Sequence, residues 1–339
     1  MTWIYRQFSF LGLAILLSLA PPAFAQKNLK FLPLPTQISS VNEEYSGMSW
    51  SGNRLYLLPQ YGNHKETLLD GPFSIYSLHK DSIDRVIDGK DSILTTYTVI
   101  SVKNLDKLPD SVKKHYQGFE AITFHKNEVF LTIETDDKYA YCFVIKGVLD
   151  ILHNEIIIDP FNFSSLKRHA SIFNAGFESL TYLPDQQQLI ALFEFNGMVG
   201  GGAGYLINPN LKQKPRAVRV PFLPFRLTDT EATKRGRIFG INYYWEGDYH
   251  SYLDNILLQS SERKLKKLLP EFADSLRTNS YARIVTKKRW GAKKWKEVTT
   301  FDGKYHNWEG LALYRNGALV ITDANRSKKL FTKLAFLTF

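Results

Sequence analysis

Five short segments of the chain begin with an acidic or hydroxyl-bearing residue that is followed by a small one. The five starting residues are Ser46, Glu120, Glu178, Glu231 and Glu309. Carboxylate and hydroxyl oxygens are the ligands that hard cations prefer, and Ca²⁺ takes 6–8 such oxygens in irregular geometry. A site that brought these five side chains together would therefore suit calcium.

A second polar set follows the first at a nearly constant spacing. Gln60, Glu134 and Asp323 lie fourteen residues after their starts, and Glu194 lies sixteen residues after the third start. The fourth segment has no clear equivalent. In a β-hairpin the end of the second strand lies beside the beginning of the first, so both sets should surround one point. We expect Asp323 to join the five starting residues as a metal ligand.

Carboxylates in such a group raise one another's pKa, and desolvation raises it further, unless an opposite charge offsets the repulsion. Calcium would supply that charge. The alternative is structural: each Glu could accept hydrogen bonds from a neighbouring strand or pair with Arg226, Arg283 or Arg326. Cys142 is the single cysteine of the chain, and there is no ordered His/Cys set, so the sequence favours neither zinc nor a disulfide framework.

The elements that must position these residues are β-hairpins. Each start is followed by a polar turn and a second apolar stretch, which is typical of a hairpin. Small residues such as Gly47 and Ala121 follow the starts, and they suit strands that converge on a common axis. The starts are 53 to 78 residues apart, enough for four strands each. The sequence predicts an all-β fold, a five-bladed β-propeller, with six blades as the alternative.

The two ends of the chain are expected to close the ring. The fifth unit is one strand short after residues 330–338, and residues 29–34 would supply its outer strand. Closure of this kind removes an open sheet edge. We therefore assign residues 26–339 to a single propeller domain. Residues 246–280 form an insertion in the fourth blade, in which apolar residues at helical spacing predict a short helix.

Residues 1–25 have the features of a signal peptide. Arg6 precedes an apolar run over residues 8–20, and Ala23 and Ala25 form the small-x-small pattern of a cleavage site. The run is too short to cross a bilayer, and no other stretch is apolar enough to do so. We expect cleavage after Ala25, a mature chain with no transmembrane segment, and a secreted or periplasmic location.

The 339 residues carry 43 Lys and Arg against 33 Asp and Glu, a formal net charge of +10. An apolar share of 44% supports a full core, and the charged share of 22% is unlike that of a disordered chain. Basic residues are dense between residues 263 and 296, where we interpret them as a solvated surface. We expect a monomer whose partner is an anionic small molecule, and no nucleic acid partner.

Two segments resemble a known family. Phe177-Glu178-Ser179-Leu180-Thr181, and Trp308-Glu309-Gly310-Leu311-Ala312 followed by residues 320–323, are similar to the signature of the phytase-like β-propeller family. The order of Ser46 and the later Glu residues also resembles the axial ring of the calcium-activated nucleotidases, the soluble apyrases. That resemblance implies a five-bladed propeller with an axial calcium ion held by Ser and Glu. One ring position in those proteins is a second Ser, where this chain offers Glu231.

The residues together suggest metal-assisted hydrolysis of a phosphoester or related anionic ester. Glu134 or Glu194 would take a proton from water, and Arg226 or Arg326 would stabilise the developing negative charge. His306 is a candidate acid. No G-x-S-x-G segment supports a serine nucleophile. The alternative is a non-catalytic binding propeller with a structural metal ion, because propellers serve both purposes.

Overall fold

The structure is a computed structural model that describes residues 28–61, 69, 71–170, 172, 175–197, 202–248, 280–303, 306–324 and 332–339. The predicted signal peptide lies outside the described residues. So do Arg326 and most of the 246–280 insertion, including the positions of the predicted helix.

The first half of the chain contains nine strands and two short helices. The strands are β1 (Leu29–Leu32), β2 (Tyr45–Ser51), β3 (Arg54–Pro59), β4 (Phe73–His79), β5 (Thr98–Lys103), β6 (Tyr116–His125), β7 (Glu128–Thr135), β8 (Tyr141–Asp150) and β9 (Glu155–Lys167). The helices are α1 (Lys80–Ile87), between β4 and β5, and α2 (Asp110–Lys113), before β6. No described helix is long and apolar enough to cross a bilayer.

The described part of the second half is built from strands. They are β10 (Ser179–Leu183), β11 (Gln188–Leu192), β12 (Gly202–Ile207), β13 (Arg216–Val220), β14 (Arg226–Ala232), β15 (Ile238–Tyr244), β16 (Tyr281–Lys287), β17 (Lys296–Asp302), β18 (Asn307–Tyr314), β19 (Gly317–Asp323) and β20 (Leu334–Thr338). Short 3₁₀ turns lie at Thr36–Ile38, Leu105–Lys107 and Glu246–Asp248.

The strands form five four-stranded antiparallel units. Units 1 to 4 are β2 to β5, β6 to β9, β10 to β13 and β14 to β17, and unit 5 is β18 to β20 with β1. Units 1 and 2 share one sheet because their outer strands β5 and β9 pair in parallel. The first strands of successive units contact one another, and β18 contacts β2, so they form a closed ring. The predicted all-β propeller is confirmed.

Close approach of the inner strands explains their small residues. A Cβ atom at Gly310 would lie 3.3 Å from the carbonyl carbon of Gly47, and a Cβ at Gly47 would lie 3.3 Å from the Cα of Ala121. The second atom of each pair belongs to the inner strand of a neighbouring unit. There is therefore no room at these positions for a large side chain.

The core consists of five apolar clusters, each between two neighbouring units. Tyr56 of unit 1 and Phe119 of unit 2 belong to one such cluster, and Phe130 of unit 2 and Phe193 of unit 3 belong to the next. Three further clusters join units 3 and 4, units 4 and 5, and units 5 and 1. In the last of these, Leu32 of β1 is buried beside residues of unit 1. Every unit thus buries both faces of its sheet, as blades of a propeller do.

Candidate functional site

Four of the inner strands contain a β-bulge at an equivalent place, and the residue bulged there is acidic or carries a hydroxyl; β6 has a second bulge at Gln117. The bulged residues are Ser46 in β2, Glu120 in β6, Thr228 in β14 and Glu309 in β18. A bulged residue has no partner in the ladder, so its side chain is turned out of the regular alternation. Glu178 lies directly before β10. These five residues occupy equivalent places around the ring.

The fourth position therefore belongs to Thr228 and not to Glu231. Glu231 lies three residues further along β14, and its carboxylate accepts a hydrogen bond from the backbone N–H of Leu313 in unit 5. Desolvation raises its pKa to about 8. By residue type alone, Glu231 aligns with the other glutamates of the repeated segments. The strand register instead places a second hydroxyl between the carboxylates of the third and fifth positions, Glu178 and Glu309.

Both ring hydroxyls bind the backbone of the next inner strand. Ser46 Oγ donates to the carbonyl oxygen of Phe119 at 2.6 Å, and Thr228 Oγ1 donates to that of Trp308 at 2.7 Å. Each acceptor directly precedes a ring glutamate. The hydroxyls therefore connect neighbouring blades at the level of the ring, and each keeps an oxygen lone pair that does not take part in this bond.

The ring carboxyls are crowded and poorly solvated. Desolvation, followed by repulsion from Glu134, raises the pKa of Glu120, whose Oε1 accepts a hydrogen bond of 2.7 Å from Gln60. Desolvation and repulsion from Asp323 raise the pKa of Glu309. Desolvation and repulsion from Glu194 raise that of Glu178. The Oε2 atom of Glu178 is buried and accepts no hydrogen bond from any described group.

The second polar set does lie at the ends of the second strands. The strand registers align Glu134 and Asp323, and Gln60 follows β3 at the equivalent place, where its backbone N–H donates to the carbonyl oxygen of Glu44. In unit 4 the aligned residue is Tyr243, directly after Asn242, the partner of Leu227. The raised pKa of Tyr243 results from desolvation and, among nearby charges, first from Glu309. In unit 4 the second polar set is thus completed by a phenol, which a sequence pattern based on carboxylates does not identify.

Glu194 and Arg226 form the most completely engaged pair of the site. The side chain of Glu194 is fully buried, and its two oxygens accept hydrogen bonds from Arg226 and from the backbone N–H of Gly176. Arg226 also donates to Asp248 at 2.8 Å, and it lies 4.0 Å from Glu178. Because Asp248 also binds the guanidinium group of Arg226, this arginine is fixed in position and holds the orientation of Glu194.

Glu134 has a different environment. Desolvation and then repulsion from Glu194 raise its pKa to about 7, and Arg168 partly offsets this from 4.0 Å away. Arg168 is itself buried and donates to the carbonyl oxygens of Thr135 and Ala175. Sequence reasoning missed Arg168 because it lies outside the repeated hairpins, at the end of an outer strand.

Asp229 is a carboxyl near the axis that the sequence analysis did not identify. Its Oδ1 and Oδ2 accept hydrogen bonds of 2.7 Å from the backbone N–H groups of Thr230 and Leu311. It is 2% exposed, and burial raises its pKa. Because it follows the bulged Thr228, it points away from the ring hydroxyl, toward the adjacent inner strand of unit 5.

His306 packs beside the ring of Trp308 and that of Phe31 on the outer strand β1. Its imidazole is stacked on both rings, and Nε2 lies 3.3 Å from Lys333 Nζ. These neighbours place it on the side of unit 5. Asp323, by contrast, lies within the site, where its Oδ2 is 3.4 Å from Asn307 Nδ2.

The described site contains more carboxyl groups than cationic groups. Two guanidinium groups, those of Arg168 and Arg226, face five carboxyls whose pKa values are all raised: Glu120, Glu134, Glu178, Glu194 and Glu309. Among the described residues, no three Asp, Glu, His or Cys side chains are already arranged as a metal site. The arrangement can hold protons or, after rotation of its carboxylates, a cation.

No protein-family model matches this chain, and no curated protein does. Solved structures with a similar course of the chain include an aldose sugar dehydrogenase from Streptomyces coelicolor with 11% identity and a TM-score of 0.49, covering 91% of this chain and 97% of that one. Arabinanase Arb43A from Bacillus subtilis has 11% identity and a TM-score of 0.46, covering 90% and 94%. A GH43 β-xylosidase/α-arabinofuranosidase from a compost metagenome has 9% identity and a TM-score of 0.49, covering 92% and 95%. Membership of the phytase-like family stays a prediction.

Proposed function

We propose that this chain is an exported calcium-binding β-propeller that hydrolyses phosphoesters or related anionic esters at the carboxylate end of its axis. The observation that carries the proposal is the buried Oε2 of Glu178, which accepts no hydrogen bond from any described group although it lies among other carboxyls. A buried carboxylate oxygen of this kind requires either a proton or a cation.

The composition of the ring favours a hard cation. Glu120, Glu178 and Glu309 would supply carboxylate oxygens, and Ser46 and Thr228 hold hydroxyl oxygens at the two remaining bulge positions. Oxygen ligands in irregular geometry suit Ca²⁺ better than metals that require nitrogen or sulfur. When bound, calcium would polarise an oxygen of the ester.

Of the two predicted bases, Glu134 fits proton transfer better than Glu194. A pKa of about 7 lets Glu134 exchange a proton near neutral pH, where a general base is most effective. Both oxygens of Glu194 already accept hydrogen bonds. We assign Glu194 to holding Arg226, and Arg226 to attracting the anionic group of the substrate. A net charge of +10 is consistent with an anionic substrate.

Calcium binding is tested by thermal unfolding of the mature protein with calcium and with a chelator. We expect calcium to raise the midpoint by at least about 3 °C, because a ligand that binds only the folded state stabilises it. Glu178→Gln should lose most of this response. Glu231→Gln is the matched control and should keep it, because Glu231 binds the Leu313 backbone. Equal responses in both variants would contradict the assignment of the ring.

Hydrolysis is tested by release of phosphate or alcohol from a panel of anionic esters. Glu134→Gln should lower turnover by about 100-fold or more, and wild-type activity should rise as the pH increases through 7 and Glu134 ionises. A calcium response with no turnover on any substrate would favour the non-catalytic binding propeller. The absence of both would end the proposal.

A further inference from the structure

The end of the propeller opposite the carboxylates carries a second feature that the proposed function does not use. The turn between the first and second strands of each unit, and the turn between its third and fourth strands, lie at this opposite end. In unit 4 these turns are residues 233–237 and 288–295. Ile238 pairs with Lys287, so the two turns project side by side.

These two turns form a cationic patch. Residues 232–238 and 286–296 contain nine Lys and Arg and neither Asp nor Glu. Eight of the nine side chains are exposed, namely Lys234, Arg235, Arg237, Lys288, Arg289, Lys293, Lys294 and Lys296. Asp185, in the nearest turn of unit 3, is the acidic neighbour of Gly236. Positive charges concentrated on so small a surface create a strong positive potential, and such a potential attracts an anionic partner.

Several cations elsewhere at the same end are neutralised within the protein. Arg315 in unit 5 forms ion pairs with Asp84 and Asp88 at the end of unit 1, and Arg85 pairs with Asp91. None of the eight exposed cations of the patch forms an ion pair with a described residue. The charge of unit 4 is therefore directed outward, whereas that of unit 1 is compensated internally.

Lys287, the ninth cation, stabilises the hairpin that carries the patch. It is 1% exposed, and its Nζ lies 4.5 Å from the ring centre of Trp290 and 5.3 Å from that of Trp295. Both indoles pack on the apolar cluster between units 3 and 4. The contacts between the ammonium group and the two rings connect the beginning and the end of the turn, and so fix its shape.

An exposed apolar tip lies at the same end in unit 2. Ile151 and Leu152, in the turn between β8 and β9, are 61% and 89% exposed. Val148 and Ile157, which pair behind this tip, are 43% and 41% exposed. Exposed aliphatic side chains at the tip of a turn are of no use to a soluble polyanion, but they favour the interface of a bilayer.

We propose that this end of the propeller docks on a bilayer of anionic phospholipid. The cationic patch would face the head groups, and Ile151 and Leu152 would enter the interface. Basic residues near an anionic membrane each add to its affinity for the protein, and aliphatic residues add an apolar contribution that is independent of salt. In this orientation the carboxylate end faces away from the membrane and stays open to solution.

The test is co-sedimentation of the mature protein with vesicles of phosphatidylcholine alone or with about 30 mol% phosphatidylglycerol, at low and high salt. We expect binding to the anionic vesicles only, weakened by salt. Lys293→Glu/Lys294→Glu should reduce the partition coefficient by at least about tenfold. Lys114→Glu/Lys138→Glu makes the same charge change at exposed residues of the carboxylate end. This variant should leave the partition coefficient nearly unchanged.

Leu152→Ser separates a membrane from a soluble polyanion. It should weaken vesicle binding by about threefold or more and leave binding to heparin unchanged. Equal loss in the two charge-reversed variants, or failure to bind anionic vesicles at low salt, would overturn the proposal. Tight heparin binding together with vesicle binding that is insensitive to Leu152→Ser would assign the patch to a polyanion instead. Circular dichroism of each variant checks that it is folded.

Discussion

At the scale of single residues, two glutamates from different copies of the repeated segment have opposite environments. Glu231 accepts a hydrogen bond from the backbone N–H of Leu313, whereas Oε2 of Glu178 accepts none from any described group. A carboxylate that binds a backbone N–H contributes to the junction between blades, and one without such a donor is available to a proton or a ligand. Residue type alone therefore does not separate structural from functional glutamates here.

The pKa of Glu231 makes stability depend on pH. Folding raises this pKa from 4.5 to about 8, so the folded state binds the proton more tightly than the unfolded state. Its contribution to stability is complete below pH 4.5, falls as the pH rises, and is lost above about 8.

Glu231→Gln should remove this dependence. Gln can still accept the hydrogen bond from Leu313 but does not titrate. We expect the unfolding free energy of the wild type to fall relative to that of the variant by a few kcal/mol between pH 4.5 and 8. Urea denaturation at several pH values with chelator present measures it. A difference that stays constant with pH would contradict the assignment.

At the scale of elements, the β-bulge is the device that builds the ring. Without it, regular alternation would fix Glu120 and Glu309 on one face of a blade, where the apolar clusters lie. The bulge lets a polar side chain leave that alternation while the following small residues keep close contact with the next inner strand. The bulges in β2, β6, β14 and β18 occur at the same register, so four units direct their side chains to one level.

Gly310 should tolerate almost no increase in size. A Cβ at this position would lie 2.6 Å from Cγ2 of Ile321 and 3.3 Å from the backbone of Gly47. Gly310→Ala should lower the unfolding free energy by about 1–3 kcal/mol, and Gly310→Val by more, because neighbouring backbones must move apart. Chemical denaturation measures both. Equal and small effects would show that the inner strands are less closely packed than described.

At the scale of the whole molecule, stability depends on closing the ring. Each apolar cluster lies between two units, so a unit removed from its neighbours would expose both faces. The first described strand closes the last unit, because β1 pairs with β20 over Leu29 to Leu32. The chain therefore joins residues that are about 300 positions apart, and long-range pairing of this kind forms slowly.

Substitutions in β1 test that closure. Leu32 is 1% exposed in the cluster between units 5 and 1, whereas Phe31, in the same strand, is 39% exposed. Leu32→Ala should destabilise the protein by about 2–4 kcal/mol, and Phe31→Ala by clearly less. Thermal and chemical unfolding of the two variants makes the comparison. A larger loss for Phe31→Ala would show that the stacking on His306 matters more than the buried contact.

The repeated hairpins, the small inner residues and the closing terminal strand are all determined by the sequence. These features are local or periodic: turn residues select hairpins, and alternation sets which face is buried. The same periodicity also assigns Ser46, Glu120, Glu178 and Glu309 to equivalent places around the ring. It cannot separate a membrane-facing cationic turn from a merely solvated one.

Only the tertiary structure decided which residues complete the site. The bulge in β14 selects Thr228 over Glu231, and the register of β15 brings Tyr243 to the place that no carboxylate fills. Arg168, directly after the outer strand β9, reaches Glu134 at the end of β7 because both strands pair with β8 in the same unit. A bulge adds one residue and shifts everything after it, so its position depends on how neighbouring blades pack and not on the segment that contains it.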